Sequence, residues 1–85
     1  MPQLSLSSLS EAVTLQGTLE RVVFHNEDNG YTVFRLRPDG KDELDLVTVV
    51  GHMGSPQPGA SLRVTGRWVN NARFGRQVQM EAFES

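Results

Sequence analysis

From Thr14 onward, apolar and polar residues alternate at period two, in blocks separated by turn residues, and no block repeats at the 3.6-residue period of a helix. Each block therefore turns one face to a core and the other to water, and the chain reads as all-β. The first block, Thr14 to Phe24, sets Leu15, Gly17 and Leu19 on one face and then changes phase to Val22 and Phe24. That change predicts a bulge or bend near Glu20 to Val22, which lets one long strand curl round and serve both halves of a barrel. Asn29-Gly30 closes the next loop with a residue pair that tolerates the positive φ of a tight reversal.

The second block, Tyr31 to Arg37, carries Tyr31, Val33, Arg35 and Arg37 on one side and Thr32, Phe34 and Leu36 on the other, with Phe34 and Leu36 expected in the core. Pro38-Asp39-Gly40 is a turn signature, and the acidic Asp42, Glu43 and Asp45 lead into a β-branched third strand, Leu46 to Gly51. Gly51 to Gly59, with Pro56 and Pro58, can form neither a helix nor a central strand. The fourth block, Ser61 to Val69, opposes Leu62, Val64, Gly66 and Trp68 to Arg63, Thr65 and Arg67, so parity sends Trp68 toward the core. Asn70 to Gly75 makes a reversal, and the fifth block, Arg76 to Phe83, opposes Val78, Met80 and Ala82 to Gln77, Gln79 and Glu81.

Five strands with a bent first one suit a barrel, since closure removes exposed sheet edges. The expected fold is a small five-stranded barrel of the oligonucleotide-binding (OB) type, lacking the usual helix between strands 3 and 4, a choice among barrels that the strand pattern permits and that a family resemblance mostly supplies. A five-stranded SH3-like barrel is the alternative. A chain of 85 residues builds one core. Residues 14–85 are assigned to that domain, and the serine-rich residues 1–13 to a disordered leader.

Composition narrows the chemistry. There is no cysteine, which removes disulfides, thiolate metal sites and cysteine nucleophiles and points to a reducing, cytoplasmic setting. No Lys or Arg precedes Arg21 and no apolar run approaches the ~20 residues of a membrane span, so neither a signal peptide nor a membrane partner is expected. The one lysine, Lys41, is followed by Asp42, which rules out the Gly-Lys-Ser/Thr end of a phosphate-binding loop. His25 and His52 stand 27 positions apart, too few and too isolated for a catalytic zinc, and no Gly-x-Ser-x-Gly elbow occurs. The expectation is a binding module with no catalytic, cofactor-binding or metal-binding residue of its own.

Charge supplies the candidate surface. The net charge is −2, yet Arg63, Arg67, Arg73 and Arg76 fall within residues 60–80, where there is no acid, while four basic and ten acidic residues occupy the remainder. Such segregation makes one face attractive to an anion, although solvated arginines lining the outside of a hairpin would produce the same pattern. Arginine forks onto phosphate and stacks on bases, and an exposed ring offers a sequence-tolerant platform. Phe74, between Arg73 and Gly75 at a hairpin tip, is the stacking candidate of this segment. Candidate nucleic-acid contacts are Tyr31, Arg35, Arg37, Arg63, Arg67, Asn70, Arg73, Phe74, Arg76 and Gln77, with Arg67→Ala or Arg73→Ala expected to weaken binding.

The run Gly17-Thr-Leu-Glu-Arg-Val-Val-Phe-His-Asn-Glu-Asp-Asn-Gly-Tyr-Thr-Val-Phe-Arg-Leu36 resembles the opening segment of the RecD-like (RecD/TraA family) ATP-dependent DNA helicases. Val47-Thr-Val-Val-Gly51, Pro58-Gly59, Gly66-Arg-Trp-Val69 and Phe74-Gly-Arg-Gln77 follow in the order found in that family. The stretch before Phe74 departs from the family's usual His-Pro-Lys-Tyr, reading Asn71-Ala72-Arg73-Phe74, and without the proline the hairpin is less rigid. The resemblance implies an excised N-terminal OB-like domain ahead of a motor that uses ATP and Mg to move 5′ to 3′ on single-stranded DNA in repair or recombination. It implies as partners single-stranded or junction DNA, the remaining helicase domains and another DNA-repair protein. The competing expectation is a protein-docking module that packs on the helicase body or recruits a partner.

Overall fold

The computed structural model describes residues 11–42, 45–72 and 75–85. Five strands form a closed barrel: β1 (Ala12–His25), β2 (Tyr31–Pro38), β3 (Val47–His52), β4 (Ser61–Asn71) and β5 (Gly75–Glu84). The order around it is β1-β2-β3-β5-β4, and every strand pair is antiparallel except β3 with β5. After β3 the chain steps over the place of β5 to form β4 and then returns to lay β5 between them, parallel to β3, the Greek-key closure of an OB barrel, and the SH3-like alternative falls away. No α-helix forms among the described residues. Strand β1 takes in Ala12 and Val13, which pair with Arg67 and Gly66, so the leader expected over residues 1–13 is corrected at its end; residues 1–10 lie outside the described residues.

Two interruptions in β1 decide which side chains reach the cleft described below. The register with β2 slips between Leu19 and Arg21, at the position where the phase change predicts it, and slips again between Val22 and Phe24. After the first slip Val22 stands opposite the buried Phe34; after the second, Phe24 stands opposite Val33, on the outer face. The inward phase read for Phe24 is therefore corrected: the ring is 50% exposed, because the second bulge at Val23 turns it outward.

The core is the set of inward positions that alternation marks, with Leu19, Phe34, Leu36, Val49, Val64 and Val78 wholly buried. Strands cross so closely at Gly17 and Gly66 that a Cβ would lie 2.1 Å from the Arg37 and Gln79 carbonyl oxygens, and only glycine fits. Where a helix would otherwise close the barrel, the segment after β3 folds back. Met53 enters the core with 6% exposure, and its N–H donates to the Gly30 carbonyl at 3.0 Å. The same segment is tied to β1 through both backbone groups of Leu19, which bond to Gly59 and Ala60 at 2.8 and 2.9 Å.

Candidate nucleic-acid interface

The loop that joins β1 to β2 is built by asparagines acting on their own backbone. The Asn26 and Asn29 side-chain oxygens accept from the N–H groups of Asp28 and Tyr31 at 2.8 and 2.9 Å, and Gly30 turns the chain with φ 79°. Beneath it, the buried Thr32 hydroxyl donates to the Gly30 carbonyl at 2.9 Å and lies 2.7 Å from His25 Nδ1. The hydroxyl proton being committed to Gly30, the imidazole is the donor of this pair. These bonds fix the start of β2 and with it the direction of Tyr31.

On the outer face of β1, β2 and β3 this rigid edge presents three rings in a row. Phe24 and Tyr31 have centroids 6.2 Å apart and tilted by 56°, and Tyr31 meets His52 edge-on at 5.9 Å. Phe24 and Tyr31 are 50% and 38% exposed, large rings left partly open to solvent, which suits a surface that stacks on something else. Beside the rings lies a concavity of about 420 Å³ that Val33 and Val50 line together with Val23, Phe24 and Tyr31. Its polar lining is Arg35, Thr48, Asn71 and Gln77, contributed by β2, β3, β4 and β5. Val50 is 8% exposed yet stands outside the core cluster, on the outward side of β3.

Arg21 and Arg35 are direct cross-strand neighbours on this face. Like charges so placed repel. Neither has an acidic partner among the described residues, and the Arg35 Nε is buried without a hydrogen bond. Two cations held side by side beside exposed rings make a surface that a polyanion with flat bases would complete.

The cleft brings together three of the sequence candidates, Tyr31, Arg35 and Gln77. Arg37 lies on the same strand face but bonds through Nε to the Glu20 carboxylate. Arg63, Arg67, Asn70 and Arg76 do not line it. Arg67 pairs with Glu81 at 3.2 Å, and Arg76 sits 4.1 Å from the Trp68 ring and 3.7 Å from a Glu11 oxygen. The acid-free stretch thus meets acids from β5 and from the chain before β1. Trp68 is half-buried against the core, as its parity implies. Arg73 and Phe74 lie outside the described residues. Sequence reasoning missed Arg21, Phe24, Thr48, Val50 and His52; alternation alone marks Thr48 and Val50, whereas Arg21 and Phe24 need the two bulges.

Among the described residues no group of three or more His, Cys, Asp or Glu could hold a metal ion, and no carboxylate lines the cleft. Nor is any helix among them long and apolar enough to cross a membrane. The fold agrees with a family match: the model of the OB-fold domain of the ATP-dependent DNA helicase YrrC covers residues 12–85. The chain accordingly belongs to that family of helicase OB-fold domains.

Proposed function

We propose that this is the non-catalytic N-terminal domain of a RecD-like 5′ to 3′ helicase, and that it holds single-stranded DNA, or the junction of single strand and duplex, beside the motor. The observation that carries the reading is the row Phe24–Tyr31–His52 set next to Arg21 and Arg35, two cations with no acidic partner among the described residues. Bases stack on the rings and the exposed Arg21 meets the backbone phosphate, an arrangement that binds single strands with little regard to sequence. The test is titration of a fluorescent ~15-nucleotide single strand across a salt series. Binding should weaken by about 0.7 in log K per decade of salt for each phosphate neutralised.

The rival reading is a docking module for the remaining helicase domains or another DNA-repair protein. It draws on Phe83, 40% exposed near the end of β5, and on an open groove of about 530 Å³ between Val22, His25 and Pro56. No binding of the oligonucleotide at the lowest salt would favour this second reading.

A further inference from the structure

We propose that the cleft beside Tyr31 is a base-reading pocket that selects guanine within an otherwise sequence-tolerant strand, with Arg35 as the specificity-determining residue. The proposal rests on the single-strand reading above and adds to it one recognised base. Stacking platforms need only a flat surface, but here a concavity of about 420 Å³ lies next to the platform. That volume falls within the range of about 300–1,000 Å³ of small-ligand pockets, and its make-up fits too: apolar walls with a few convergent polar groups.

Those polar groups are unevenly matched. Arg35 only donates, the Thr48 hydroxyl and the Asn71 and Gln77 amides can do either, and among the described residues no carboxylate lines the site. Such a lining prefers a base edge whose adjacent atoms both accept. Guanine offers N7 and O6, the pair onto which an arginine fork fits, whereas adenine puts an amino donor beside its N7 and thymine has no adjacent pair of acceptors on its O4 edge; cytosine's O2 and N3 also both accept, but its single ring covers less of the stacking platform than a purine does. Arg35 is also set up to read rather than to steer. Its Nε is already withdrawn from water with no hydrogen bond among the described residues, so the guanidinium carries part of its desolvation cost before a base meets its exposed end. Arg21, fully on the outside, remains for phosphate.

The experiment compares this chain's affinity for fifteen-nucleotide oligothymidylate with that for the same strand carrying one central dG, dA, dC or 7-deaza-dG. The expected result is about tenfold tighter binding with dG alone, the preference disappearing with 7-deaza-dG. Arg35→Lys keeps the charge and loses the fork, so the ratio of its affinities for the dG strand and for oligothymidylate should fall to about one, whatever happens to oligothymidylate binding itself; Arg35→Gln should give the same ratio with weaker binding overall. Circular dichroism of both variants checks that the barrel is intact. Equal affinity for all strands, or a preference for dC or dA, overturns the pocket while leaving the single-strand reading in place. Absence of binding to every strand at low salt overturns both. A dG preference that survives Arg35→Lys moves recognition to other residues and overturns the role of Arg35.

Discussion

At the residue scale, the distinction that matters is between arginines that are already satisfied and those that are not. Arg67 and Arg76 have Glu81 and Glu11 within ion-pair distance, whereas Arg21 and Arg35 face each other across β1 and β2. Arg21→Ala should therefore weaken binding of the single strand and lower its salt slope by about 0.7. Arg67→Ala, which alters an exposed pair outside the cleft, should leave both unchanged in the same titration, contrary to what the charge segregation by itself suggests. Phe24→Ala should cost about 1–3 kcal/mol of binding, the worth of one stacked base. Because that ring is half-exposed, the thermal midpoint should scarcely move, whereas Phe34→Ala, which empties a wholly buried site, should destabilise the fold by about 3–5 kcal/mol in urea titration.

At the scale of the element, β1 is the strand that makes the site. Its first bulge keeps Val22 over the core after Arg21 has turned out, and its second turns Phe24 onto the same outer face as Arg21. Close crossing of strands is the other requirement. A methyl at Gly66 would meet the β5 backbone at 2.1 Å, while one at Gly54 would meet nothing within 4 Å. Gly66→Ala should lower the thermal midpoint by many degrees or prevent folding, and Gly54→Ala should be nearly silent, a contrast that differential scanning fluorimetry resolves. Met53→Ala should cost about 2–5 kcal/mol, since that side chain fills the end of the barrel in place of a helix.

For the whole molecule, closure of the sheet converts a short chain into a platform with one buried and one displayed set of residues. Net charge is −2, so the proposed attraction for DNA has to be local to a face, and salt should extinguish it within a modest range. Binding to the folded barrel alone also implies mutual stabilisation. A single strand present at a hundred times its Kd should add about 2.7 kcal/mol to the unfolding free energy, visible as a raised thermal midpoint that falls back as salt is added.

Alternation alone was enough to identify the five strands, the core positions Phe34, Leu36, Val64 and Val78, and the first bulge, because a period of two leaves little freedom about which side chains are inside. The same reading marked Tyr31, Arg35 and Gln77, which share a face with one another only once β2 and β5 are brought to either side of β3. The fate of Phe24, the pairing of Arg67 with Glu81 and the meeting of Arg21 with Arg35 were decided by tertiary structure. Each depends on register between strands distant in the chain, and one extra residue in a strand reverses every side chain beyond it, a displacement that local pattern records only when the core itself changes phase.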